Sequence, residues 1–182
     1  MLGIYLLLIS SLCSASDVVY KLTTQTALKA DQTFADLIIL PKLHPTTDFQ
    51  VQFEFKVIKQ NRQPNPNPWE SFWIFWSYNK EDLNKKRTNY LAFKSNGLEL
   101  GQAFDLVGQK FIWTDESFKI QTAVWYKVIL SFNNNNLLLK INDQEFKIPK
   151  KLISQTYTNP GRIGLYAEDS EVEIKNFLQR LN

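Results

Sequence analysis

The stretch FQVQFEFKV, residues 49–57, decides the fold class. Phe49, Val51, Phe53, Phe55 and Val57 alternate with Gln50, Gln52, Glu54 and Lys56. Successive side chains of an extended chain point to opposite faces, so the segment is a half-buried strand with one clean core face. The pattern recurs downstream. Tyr126, Val128, Leu130 and Phe132 share one face of a strand over 125–132, and Leu137, Leu139 and Ile141 form the next inward face. Strands are also expected over 69–78, 89–94, 98–102, 145–148, 162–167 and 171–178.

Turn signals separate them. Asn61–Pro68 is a proline–asparagine loop that cannot pair in a sheet. Ser95-Asn96-Gly97 is a turn in which Gly97 is free to take positive φ. Residues 133–136 are four asparagines, a type that tolerates left-handed backbone. Asn142-Asp143 and Pro160-Gly161 punctuate the rest, and 152–155 has room for one helical turn. Ten or so short strands with regular turns and no long amphipathic helix predict an all-β antiparallel sandwich or barrel.

The chain has 182 residues, enough for one core without staples. Charged residues make up 21% and aromatics 14%, a globular composition. A formal charge of +3, with both signs evenly mixed, argues against nucleic acid as a partner. Residues 1–16, MLGIYLLLISSLCSAS, form an apolar run that ends in small residues, with the first charge at Asp17. This reads as a signal peptide followed by a domain over 17–182; the alternative is a buried first strand. The leader reading implies a secreted, extracellular protein, or a periplasmic one in a bacterium, with no membrane attachment after cleavage. Cys13 is the only cysteine and follows Leu12, where a lipidation signal has a small residue. The mature chain then holds neither a disulfide nor a cysteine-based zinc site.

Three of the five tryptophans fall within residues 69–76. Alternation puts Glu70, Phe72, Ile74, Trp76 and Tyr78 on one face and Trp69, Ser71, Trp73, Phe75 and Ser77 on the other. Either all these rings are core, or one face is a ligand platform. Sugars bind aromatic faces through their C–H surfaces while polar groups fix the hydroxyls. The face with Glu70, Trp76 and Tyr78 mixes ring area with a carboxylate, and Trp69, just after the proline loop, is the leading candidate for stacking. Glu54, Glu70 and Glu99 are the strand carboxylates considered for glycosidase chemistry, which needs a pair about 5–9 Å apart. Lys94, Lys127 and Lys140 on one sheet would favour an acidic polysaccharide; solvated lysines are the alternative. His44 stands alone in a loop and supports neither a triad nor a transition-metal site. Glu168, Asp169 and Glu171 form an acidic run that either holds calcium or is a plain turn.

The order of these motifs resembles the concanavalin A-like lectin and glucanase superfamily. The resemblance lies in Asp48–Phe55, in Trp125-Tyr126-Lys127-Val128 with Ile141-Asn142-Asp143, and in Gly161–Asp169 followed by Val172–Phe177. Within it, the chain is similar to the laminin-G-like and 3-keto-disaccharide-hydrolase-like branch. Trp69-Glu70, Trp73, Trp76 and Tyr78 with Asn96–Gly101 resemble extracellular bacterial modules of that kind. The resemblance implies a two-sheet jelly-roll sandwich whose concave sheet carries a sugar site, and a structural calcium. Where many relatives place an aspartate ligand, this chain has Lys175, a cation that opposes an ion there. The expected function is therefore non-catalytic binding of a glycan or polysaccharide, by ring stacking on the concave sheet with hydrogen bonds from Glu70, Lys94 and Glu99. A glycoside hydrolase of the 3-keto-disaccharide type and a laminin-G-like adhesion module are the alternatives.

Overall fold

The computed structural model describes residues 20–23, 35–40, 48–62, 64–78, 87–104, 108–133, 136–156 and 161–181. The expected leader (1–16), Cys13 and His44 lie outside them. In chain order the described elements are β1 (Tyr20–Thr23), β2 (Ala35–Ile39), β3 (Phe49–Gln60), β4 (Phe72–Tyr78), β5 (Arg87–Lys94), β6 (Gly97–Phe104) and β7 (Gly108–Asp115). They continue as β8 (Tyr126–Asn133), β9 (Asn136–Ile141), β10 (Gln144–Lys147), the single helical turn α1 (Lys150–Ile153), β11 (Arg162–Glu168) and β12 (Ser170–Leu181).

The strands form two six-stranded antiparallel sheets. The first runs β1-β12-β3-β8-β9-β10 and the second β2-β11-β4-β5-β6-β7. The alternation over 49–57 holds residue by residue: the five apolar side chains are buried and the four between them half-buried. Phe55 meets the facing sheet at Phe93 (ring centroids 4.7 Å) and Phe72 (4.9 Å). Phe53 adds edge contacts to Phe72 and Phe93 at 5.8 and 6.3 Å. This aromatic junction joins the two inner faces, and Val128, Leu130, Leu91, Leu98, Leu100 and Leu165 extend it.

Several elements depart from the sequence expectation. β4 begins at Phe72 rather than Trp69, because Pro68 and Trp69 form a turn closed by the Glu70 amide donating to the Asn67 carbonyl at 3.1 Å. β12 extends beyond 171–178 and carries a bulge at Asn176 (φ 54°), which turns Phe177 inward onto Phe53 at 5.7 Å. β1, β2 and β7 were not expected. β1 and β2 are short edge strands. In β7 the alternation is blurred, with Phe111 exposed, Ile112 buried and Trp113 half-buried.

Phe53 is fully buried at the junction. Phe53→Ala is expected to cost about 3–5 kcal/mol by urea unfolding. Lys59→Ala, on the solvent face of the same strand, should stay within about 0.5 kcal/mol.

Candidate functional site

The second sheet has an outer face of its own. Across it run two registered rows of side chains. One row is Leu37, Tyr166, Trp73, Ala92, Glu99 and Thr114; the other is Ile39, Gly164, Phe75, Tyr90, Gly101 and Phe111. Large rings alternate with small residues. A Cβ on Gly164 would run into the Phe75 ring and one on Gly101 into the Tyr90 ring, so these glycines let the rings lie down on the sheet. Trp73, Phe75, Tyr90 and Ala92 form a buried apolar cluster separate from the core between the sheets, with Tyr78 and Tyr166 packed against it.

Ser77 brings Tyr78 to this face. Its φ of 61° marks a bulge where β4 pairs with β11, so Arg162 lies opposite Tyr78 while Gly164 lies opposite Phe75. The inserted residue reverses the alternation, and Tyr78 meets Phe75 edge-on at 5.5 Å. Trp73 packs on Tyr90 at 4.8 Å and on Tyr166 at 5.5 Å. Together these five rings wall a cavity of about 280 Å³ that Glu168 closes at one end, with Thr88 and Gln109 adding polar groups.

Polar contacts orient the walls. The Tyr90 hydroxyl donates to Glu99 Oε1 (2.7 Å), and Lys94 Nζ donates to Glu99 Oε2. The Tyr166 hydroxyl donates to Glu168 Oε2 (3.0 Å), and the Trp73 indole N–H donates to the Trp69 carbonyl (3.0 Å). Burial, reinforced by the adjacent carboxylates, pushes both tyrosine hydroxyls far above their ordinary range, so they remain neutral donors. Burial also holds the Glu168 carboxyl above its ordinary range, helped by Asp169 and Glu70 and opposed by the Tyr166 hydrogen bond and Arg62.

A buried ionic knot lies behind that end of the cavity. Arg62 from the proline loop bonds Glu70 through Nε and Asp169 through Nη2 (2.8 Å). Glu70 also accepts the Asn67 amide (2.9 Å) and side-chain N–H (2.6 Å). Asp169 takes a positive φ of 40° as the chain passes from β11 in one sheet to β12 in the other. The Glu168 amide and the Ser170 hydroxyl both donate to the Ser71 carbonyl at 3.1 Å. The knot therefore sets the position of Glu168 and ties the loop to the sheet crossing.

The expected site residues separate in the fold. Trp76 is in the inter-sheet core, 5.9 Å from Phe49, which corrects the face assignment: the outer-face rings of this segment are Trp73 and Phe75. Glu70 is fully buried and engaged with Arg62, which leaves it no surface for a ligand hydroxyl. Tyr78 lines the cavity, but on the face opposite to the one its spacing predicts. Lys94 and Glu99 stand on the outer face as an ion pair outside the cavity lining. Trp69 is 47% exposed and reaches the site through its carbonyl.

Glu54 is on the outer face of the first sheet, bonded to Lys175 and Asn176, and so cannot pair with Glu99 on the second. Lys127 and Lys140 also lie on the first sheet, away from Lys94, so the three lysines do not form one anionic-ligand face. Lys175 sits 4.1 Å over the Trp125 ring. The acidic run diverges: Glu168 faces the cavity, Asp169 the buried guanidinium and Glu171 Lys59 (3.5 Å). Among the described residues no three acidic, histidine or cysteine side chains are grouped to hold a metal.

Tyr90, Tyr166 and Glu168 were missing from the expected site. The signal for two of them was present: Ile163, Leu165 and Ala167 point inward, which leaves Tyr166 and Glu168 outward on the same strand.

No protein-family model matches the sequence, and no curated protein matches it. Solved structures do. The chain is similar to the carbohydrate binding module CBM66 from Bacillus subtilis at 10% identity, over 89% of this chain and 94% of that one, with a TM-score of 0.59. A native glycosidic hydrolase matches at 9% identity over 88% and 76% of the two chains (TM-score 0.55). A human galectin-16 variant matches at 9% over 87% and 100% (TM-score 0.54). The likeness is one of fold: this is a concanavalin A-like jelly-roll sandwich.

Two stability outcomes follow from the charges. Arg62→Met leaves the Glu70 and Asp169 carboxylates buried without their guanidinium and should lower the melting temperature clearly. A carboxyl whose pKa is raised on folding stabilises below its unfolded pKa and loses that contribution as the pH rises through the folded value. Glu168→Gln should therefore raise the melting temperature near pH 7, with the gain shrinking toward about pH 4, measured by differential scanning calorimetry.

Proposed function

We propose that the protein is a secreted, non-catalytic carbohydrate-binding module whose site is the outer face of the second sheet. The observation that carries the reading is the cavity walled by Trp73, Phe75, Tyr78, Tyr90 and Tyr166, with a carboxylate at its end. Pyranose rings present C–H faces that pack on aromatic side chains, and their hydroxyls need fixed polar partners at the rim. Here Glu168, Thr88 and Gln109 supply them, while Tyr90 and Tyr166 are held rigid by their own hydrogen bonds. The carbohydrate binding module among the structural neighbours supports the reading, since it puts that function on a similar backbone. Secretion rests on the leader-like residues 1–16.

A glycosidic hydrolase shares the fold, and the spacing of the described outer-face carboxylates favours the binding class. Glu99 and Glu168 both stand on the outer face, but on β6 and β11, three strand spacings apart. That is roughly 14 Å. Inverting and retaining hydrolases hold their pair within about 5–9.5 Å. Glu99 is moreover already neutralised by Lys94.

The test is a titration of the purified protein against neutral and charged polysaccharides, read by tryptophan fluorescence with a reducing-sugar assay on the same samples. A saturable shift without sugar release is expected, lost in Trp73→Ala and weakened in Trp69→Ala if the exposed indole extends the platform. Sugar release would assign the enzyme instead. No shift with any polysaccharide would leave an adhesion module as the better reading.

A further inference from the structure

The chemistry of the cavity points to a particular class of sugar. Among the described residues its walls are five aromatic rings, its lining carboxylate is Glu168, and no lysine or arginine lines it. Glu168 carries no ion pair among those residues and accepts the Tyr166 hydroxyl. The described cations nearby are committed or distant. Arg62 is held behind the wall by Glu70 and Asp169. Lys94 is bound to Glu99. Arg162 is exposed, six residues from Glu168 along β11, and outside the lining. That is roughly 20 Å of strand. Among the described residues, three carboxylates (Glu70, Glu168 and Asp169) and one guanidinium (Arg62) stand at the Glu168 end. A neutral sugar would satisfy hydrogen bonds there and leave the charge uncompensated. An ammonium group would supply the missing charge, and aromatic faces also favour cations.

We propose that the cavity selects a glycan bearing a free, protonated amino group, an unacetylated amino sugar, whose ring packs on Trp73 and its neighbours while its ammonium pairs with Glu168. This rests on the sugar-binding reading of the same cavity and narrows it to a cationic ligand. It also inverts the acidic-polysaccharide expectation drawn from Lys94, Lys127 and Lys140. The raised pKa of the Glu168 carboxyl fits, because a half-buried carboxylate with no ion pair among the described residues is one that a ligand ammonium stabilises.

The experiment is isothermal titration of the full chain with three linear oligomers of equal length: glucosamine, N-acetylglucosamine and glucose, all β-1,4-linked. It is run at about pH 6 and at two salt concentrations. The glucosamine oligomer should bind about tenfold or more tighter than the other two, as a charge-assisted hydrogen bond predicts. The preference should shrink with added salt. Glu168→Gln should abolish the preference while retaining weak binding of all three. A melting curve of the variant, recorded alongside, shows whether it is folded, so that lost binding is not ascribed to misfolding. Equal affinity for the three oligomers, or an unchanged preference in Glu168→Gln, overturns the amino-sugar assignment and leaves the aromatic sugar platform standing. Absence of binding by all three, with no fluorescence response to any wider polysaccharide panel, overturns both.

Discussion

Phe55 of the first sheet lies 4.7 Å from Phe93 and 4.9 Å from Phe72 of the second, and the rest of the structure depends on that junction. It sets the parity of β4 and β5. Once Phe72 and Phe93 point inward, Ile74, Trp76 and Leu91 follow them, and Trp73, Phe75, Tyr90 and Ala92 must point out. Shifting β4 by one residue would exchange the contents of core and cavity. The aromatic density of 69–78 is thus divided between two tasks by a contact made elsewhere in the chain.

Irregular residues then shape the outer face. Ser77, at positive φ, interrupts the alternation and moves Tyr78 from the core side to the cavity side. Gly101 and Gly164 remove side chains where Tyr90 and Phe75 need to lie flat. A regular strand with full-sized neighbours would have carried the same rings with no depression between them. The cavity owes its existence to places where the strand pattern is broken, a common way for sheets to acquire sites.

Charge is arranged with the same economy. On the solvent face of the first sheet four lysines are paired, Lys21 and Lys56 with Glu173, Lys59 with Glu171 and Lys175 with Glu54. The second sheet is not balanced in that way around Glu168. There the guanidinium of Arg62 is engaged with Glu70 and Asp169, and those contacts fasten the proline loop to the crossing between the sheets. A structural device that fixes the loop therefore leaves one end of the cavity short of positive charge. Architecture and the proposed ligand preference share a cause.

Much of this was legible in the chain itself. Alternation over 49–57, 125–132 and 137–141, with glycine, asparagine and proline between the runs, determined an all-β antiparallel sandwich or barrel, because side-chain period and turn chemistry are local properties. The helical turn near 152 and the hairpin at Asn96-Gly97 were readable for the same reason. The site was legible only in part. Sequence located the aromatic-rich strand but assigned the platform to Trp76 and a free Glu70, because a strand apolar on both faces does not say which face is inside. That depended on Phe53 and Phe55 across the sandwich, on a bulge at Ser77 invisible to a period of two, and on Arg62 and Asp169, 107 residues apart, meeting around Glu70. Tertiary structure alone decided these points, since each arises from contact between segments that are remote along the chain.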